Sequence, residues 1–202
     1  MVLYKLFQFL LWLPARILLP TKVYGKRNLK KGGKILVSNH QSMLDIPILG
    51  LYISSFQHFL GKKELFKKGG FFEKLGGISI DREKPELSAF KKCLGVLKNN
   101  QTLTIFPEGT RHNKYPLENF KSGSAMFAIK SKKPIFPMWI EKKPKFFKFN
   151  VLRIGKQVDL DEFYDKKLDE TLLKQAENKI FYSMKNLMCH NTKPTKKSKC
   201  LI

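Results

Sequence analysis

The chain has 202 residues, 39 of them Lys or Arg against 16 Asp or Glu, giving a formal net charge of +23 and a pI near 10.0. This length supports one substantial core, and no Gly/Ser- or Pro-rich linker divides it, so two independent domains are not expected. An excess this large points to nucleic acid, an anionic membrane or an acidic substrate. The absence of a helix-turn-helix, an aromatic ribonucleoprotein motif or an Arg-rich stripe argues against nucleic acid, although lysine faces without any partner also occur.

At the amino terminus an uncharged run over residues 6–15 is bracketed by Lys5 and Arg16 and interrupted by Pro14. Spanning a bilayer takes about 20 apolar residues, so this run is too short. On a helical wheel Lys5, Gln8, Trp12 and Arg16 share a stripe, leaving Leu3, Leu6, Phe7, Leu10 and Leu13 on the remainder. The pattern predicts an interfacial amphipathic helix over residues 1–20, with a signal peptide and a helix packed on the domain as the alternatives. The domain proper is expected over residues 21–192, followed by a basic tail at 193–202.

Next in the chain, Lys34–Ser38 reads as a buried strand that opens into Asn39-His40-Gln41-Ser42-Met43-Leu44-Asp45. An imidazole and a carboxylate five residues apart form a candidate general base with its orienting acid, because a carboxylate on Nδ1–H leaves Nε2 free to take a proton. A capping or packing pair would have the same spacing. No Gly-x-Ser-x-Gly elbow supplies a nucleophile, so the hydroxyl to be activated is expected to belong to the substrate.

A helix is predicted over residues 43–53, strands at 57–60 and Gly77–Ile80, and a helix over 85–98 with Leu87, Phe90, Leu94 and Leu97 on its core face. A strand at 102–106 then opens into Phe106-Pro107-Glu108-Gly109-Thr110-Arg111. Pro and Gly demand a turn here, which presents a carboxylate, a hydroxyl and a guanidinium fork suited to a phosphate. A polar surface turn with an Arg–Glu pair is the alternative. Further on, helix 122–131, strands Ile135–Ile140 and 146–154, and helix 169–189 complete the pattern. In the last helix Leu172, Ala176, Ile180, Met184 and Leu187 share a face. Such alternation implies an α/β fold, a mixed central sheet flanked by helices with functional loops at strand ends. Cys93, Cys189 and Cys200 are odd in number and far apart, with no zinc-site spacing, so a reducing compartment and no structural metal are expected. His58 and His112 lack a partner in sequence.

Taken together, Asn39-His40-x-Ser42-x-x-Asp45 and Phe106-Pro107-Glu108-Gly109-Thr110-Arg111 resemble the glycerolipid acyltransferase family, and within it the bacterial 1-acyl-glycerol-3-phosphate acyltransferases. Gly61-Lys62-Lys63-Glu64-Leu65-Phe66, Gly77-Ile78-Ser79-Ile80-Asp81-Arg82, Phe120-Lys121-Ser122-Gly123 and Pro134-Ile135-Phe136-Pro137 extend the likeness in order. Departures are Ser79, where an aromatic or aliphatic residue is usual, and Lys68-Gly69-Gly70 in place of a Pro-containing link. The resemblance implies acyl transfer from an acyl carrier protein or coenzyme A thioester, used as co-substrate with no resident cofactor, to lysophosphatidic acid. It implies His40 and Asp45 as the catalytic couple, and Lys62, Arg82, Glu108, Gly109, Thr110 and Arg111 as substrate-binding residues. Arg82 has an alternative in pairing with Asp81. Glycerol-3-phosphate or another lysophospholipid is an alternative acceptor, and a basic membrane- or nucleic-acid-binding module is the reading outside enzymes. An anionic membrane is the expected partner, and the cytoplasmic face of the cell membrane the expected location, with peripheral or monotopic attachment.

Overall fold

The structure, a computed structural model, describes residues 10, 14, 16–66, 70–80, 87–111, 120 and 123–189. Seven strands form one sheet: β1 (Thr21–Tyr24), β2 (Lys34–Ser38), β3 (Gln57–Lys62), β4 (Gly77–Ile80), β5 (Thr102–Ile105), β6 (Ile135–Ile140) and β7 (Asn150–Ile154). Their spatial order is β1-β7-β6-β2-β5-β3-β4. Strands β6, β2, β5, β3 and β4 are mutually parallel, whereas β7 is antiparallel to β6 and carries β1 parallel to itself. The sheet is therefore mixed, as the alternating pattern predicts.

Strand β2 lies at the centre, and every one of its residues is buried. A strand covered on both faces has no reason to alternate polar with apolar, which is why Ile35, Leu36 and Val37 form an unbroken run. Ile35 and Val37 point into one core with Leu103, Ile105 and Ile135, closed by helices α3 (Leu87–Lys98), α4 (Gly123–Ser131) and α5 (Glu170–Cys189). Leu36 points the other way and packs with Phe136, Met138, Ile140, Leu152 and, from helix α1 (Asp45–Tyr52), Ile48 and Leu49. A single turn of helix, α2 (Phe71–Lys74), precedes β4.

Helix α5 starts one residue after Asp169, whose Oδ1 accepts the Leu172 N–H at 2.7 Å as an N-cap does, and its predicted face holds, with Ala176, Ile180 and Met184 fully buried. Helix α3 keeps most of its predicted face: Leu97 is fully buried and Phe90 and Leu94 pack partly buried against the core, with Phe90 stacked on Phe127 of α4 at 5.0 Å. Leu87 is exposed, and Ala89, Cys93 and Val96 are buried beside that face. Burial pushes the Cys93 thiol up to about 12, which leaves it an unreactive core residue. Strand boundaries also differ: the predicted strand 146–154 begins only at Asn150, and β3 runs on to Lys62 instead of ending at 60. Strand β1 is an additional edge strand. Most of the predicted N-terminal helix lies outside the described residues. Of its range, Leu10, Pro14 and residues 16–18 are helical and exposed.

Candidate functional site

Strand β2 feeds α1 on one face of the sheet, whereas its neighbour β5 leads on to α4 on the other. Adjacent parallel strands whose connections leave to opposite faces open a crevice at their carboxyl ends, the usual place for a ligand in an α/β sheet. The register fixes what meets there. Val37 is paired with Ile105, so His40 and Glu108, each three residues further on, arrive opposite one another.

Asp45 is the first residue of α1 and is fully buried. Its Oδ2 lies 2.9 Å from His40 Nδ1 and also accepts the backbone N–H groups of Gln41 at 2.6 Å and Ser42 at 2.7 Å. Removing a carboxylate from water is costly unless it is hydrogen-bonded; three contacts on Oδ2, at the positively polarised start of a helix, offset part of that cost, while Oδ1 is buried without a hydrogen bond. The His40 ring is stacked on Phe106, with centroids 4.2 Å apart, and 12% of its side chain stays accessible. A ring held on one side by a carboxylate and on one face by an aromatic has little rotational freedom left.

The loop around His40 is fastened from both neighbouring strands. On the β5 side, the His40 N–H donates to Glu108 Oε1 at 3.1 Å, and Glu108 is buried. On the β6 side, the Asn39 side chain bonds both backbone groups of Ile140: Nδ2 donates to its oxygen at 2.9 Å and Oδ1 accepts from its nitrogen at 2.8 Å. The side-chain amide thus continues the ladder by one pair. Gln41 Nε2 donates to the same Ile140 oxygen at 2.7 Å. The His-x4-Asp spacing alone gives no role to Asn39, Gln41 or Phe106. A polar amide on either side of His40 is the only trace that these anchors leave in the sequence.

The second loop turns at Phe106–Gly109, where the Gly109 N–H donates to the Phe106 oxygen at 3.0 Å and Gly109 has φ +68°. That backbone conformation favours glycine, and it carries Thr110 and Arg111 out to an exposed position. Lys62 closes β3 at the same edge and is exposed. The structure therefore brings His40, Asp45 and Glu108 into direct contact, and sets Lys62, Gly109, Thr110 and Arg111 on the rim of the same strand ends. Arg82 lies outside the described residues, as do His112 and the basic tail. His58, on β3, is partly buried; desolvation lowers its pKa, and it packs edge-on against Phe56 rather than joining the site. Among the described residues no cluster of three or more His, Cys, Asp or Glu could hold a metal ion.

The model of the family described as Acyltransferase matches residues 20–141, a range that contains both loops. A Bacillus subtilis protein named 1-acyl-sn-glycerol-3-phosphate acyltransferase is 36% identical over 122 residues, covering 57% of this chain and 60% of that protein. A Saccharomyces cerevisiae protein of the same name is 32% identical over 169 residues, covering 75% of this chain and 56% of that one. The chain thus spans little more than half the length of these curated relatives. Among solved structures, that of the 1-acyl-sn-glycerophosphate (LPA) acyltransferase PlsC from Thermotoga maritima superposes with a TM-score of 0.64 at 29% identity, covering 86% of this chain and 74% of that one. With the family model matched across more than half of its residues, and with the His40 and Glu108 loops inside the match, the chain belongs to the acyltransferase family.

Proposed function

We propose that the protein transfers a fatty acyl group from a thioester to the sn-2 hydroxyl of lysophosphatidic acid, giving phosphatidic acid. The observation that carries this reading is the 2.9 Å contact between His40 Nδ1 and a buried Asp45, in a chain of the acyltransferase family. The names borne by the relatives support the choice of acceptor.

With Nδ1–H donated to Asp45, the lone pair of the neutral imidazole sits on Nε2. As the substrate hydroxyl oxygen attacks the thioester carbonyl, its proton passes to Nε2, and the C–S bond then breaks. Asp45 stabilises the imidazolium, which returns the proton to the departing thiolate. A thiol of ordinary pKa about 8.5 leaves readily, so no acyl-enzyme is required and the chain needs no nucleophile of its own. Arg111 and Lys62, with Arg82, provide cations for the acceptor phosphate. Glu108 fixes the His40 backbone, and Gly109 and Thr110 shape the rim where the glycerol binds.

The donor is an acyl carrier protein or coenzyme A thioester, both acidic and so suited to a chain of net charge +23. Residues 1–20 act as an interfacial helix, 21–192 as the transferase domain and 193–202 as a basic tail, holding the enzyme on an anionic membrane at its cytoplasmic face. Among the described residues, no helix is long and apolar enough to cross a membrane.

Thiol release by purified protein, measured over a panel of lysolipids with each donor, tests the reaction. Replacing His40 by Ala should lower turnover by about 10²- to 10⁴-fold with an unchanged melting temperature. A folded His40→Ala protein with near-normal transfer would overturn the mechanism, and no thiol release with any lysolipid would overturn the function.

A further inference from the structure

Strand β6 runs parallel to β2 and ends at Ile140, the residue to which Asn39 is clamped, so the loop from 141 to 149 leaves from the same sheet edge as His40. This loop carries Phe146, Phe147 and Phe149 at 53%, 68% and 88% exposure, among the exposed Lys142, Lys145 and Lys148. Three phenylalanines turned to solvent side by side forgo burial that favours each of them. The backbone is held so that they stay outward. Phe147 has φ +57°, a conformation that a bulky side chain rarely adopts, and its N–H donates to the Leu18 oxygen at 2.7 Å. Buried Asn150 donates to the Lys148 and Pro20 oxygens and accepts the Lys145 N–H, while Arg153 pairs with Glu141 at the loop's base. The bond to Leu18 also sets the loop beside a segment that carries the exposed Ile17 and Leu18.

We propose that the β6–β7 loop is a second membrane-contacting element, which inserts Phe146, Phe147 and Phe149 among the acyl chains of an anionic bilayer beside the catalytic edge. Apolar rings at the tip with ammonium groups behind them match a surface whose headgroups are negative and whose interior is hydrocarbon. Another copy of this chain, itself of net charge +23, would set lysine against lysine, whereas the bilayer offers both the negative surface and the hydrocarbon that this loop matches. The inference rests on the acyltransferase reading only for the lipid nature of the acceptor, and its test needs no turnover.

The decisive comparison is between wild type and the triple variant Phe146→Ser, Phe147→Asn, Phe149→Ser, in which Asn tolerates the positive φ. Sedimentation with mixed phosphatidylcholine and phosphatidylglycerol vesicles should show at least about a ten-fold weaker apparent affinity for the variant, from the lost burial of its rings. Melting temperature, and thiol release with a short-chain water-soluble acceptor, should match wild type. As a second measurement, Phe149→Trp in a Trp12→Phe background should be quenched by brominated acyl chains, buried Trp139 serving as a constant reference. Unchanged vesicle affinity of the triple variant would overturn the proposal. So would an unquenched Trp, or a wild-type dimer that the variant dissolves with vesicle binding intact. If wild type releases no thiol with any acceptor, the enzymatic reading fails, while the vesicle measurements still decide on the loop.

Discussion

Glu108 joins the two loops of the site through a single oxygen, and that contact separates two roles for its carboxyl group. As an acceptor for the His40 N–H, it is replaceable by the isosteric amide; as a negative charge, it is not. Leaving a buried N–H unpaired costs about 1–3 kcal/mol. Glu108→Ala should therefore lower the melting temperature by about 2–4 °C for each kcal/mol lost, and reduce kcat through a displaced imidazole. Glu108→Gln should keep most of both. Calorimetry with initial rates checks this, and equal losses in the two variants would assign the effect to charge. Of the site, the His40/Asp45 couple was legible in the spacing and the Phe106-to-Arg111 turn in its Pro and Gly. The bond between the two loops was not, because it depends on β5 lying beside β2, an adjacency set by tertiary packing between residues 68 positions apart in the chain.

Elements were legible where a strong local signal coincided with burial. The unbroken Ile35-Leu36-Val37 run marks a central strand, and the Ala176, Ile180, Met184 spacing marks the core face of α5. Strand β1 left no such mark: it is four residues long and half exposed, and exists because β7 offers it an edge. Conversely, Phe146 to Phe149 has the composition of a strand, yet the left-handed Phe147 and the side-chain bonds of Asn150 turn the chain there. Helix α5 also carries Glu177, whose carboxyl is pushed up to about 7 by burial and whose Oε1 is buried without a hydrogen bond. The folded state holds this proton more tightly than the unfolded chain does. Its contribution to stability is thus fully present below the unfolded value of 4.5 and is lost as pH rises through about 7. Glu177→Gln should melt with wild type in acid and up to about 2 °C above it well above pH 7, partial exposure keeping the gain small. A difference of equal size at both extremes would rule out titration as the cause.

At the scale of the whole molecule, one edge of the sheet collects the His40 loop, the Glu108 loop, the β6–β7 loop and the entry to β1. Attachment by apolar burial and by basic attraction responds differently to salt, which weakens only the second. Deleting residues 1–16, which spares Leu19 and the Leu18 oxygen that the fold uses, should release more protein from anionic vesicles than raising salt does on the full chain. Retention of the truncated form at high salt would move the anchor to the β6–β7 loop. The pairing of β1 with β7 also has a consequence in time. Thr21 cannot settle against Asn150 until 129 further residues have been made, roughly 6–25 s at ordinary rates of synthesis. For that interval the backbone N–H and C=O groups that β1 will bond to β7 have no partner strand and are left to water. Strand β1, the first to be made, can therefore join the sheet only after β7, the last.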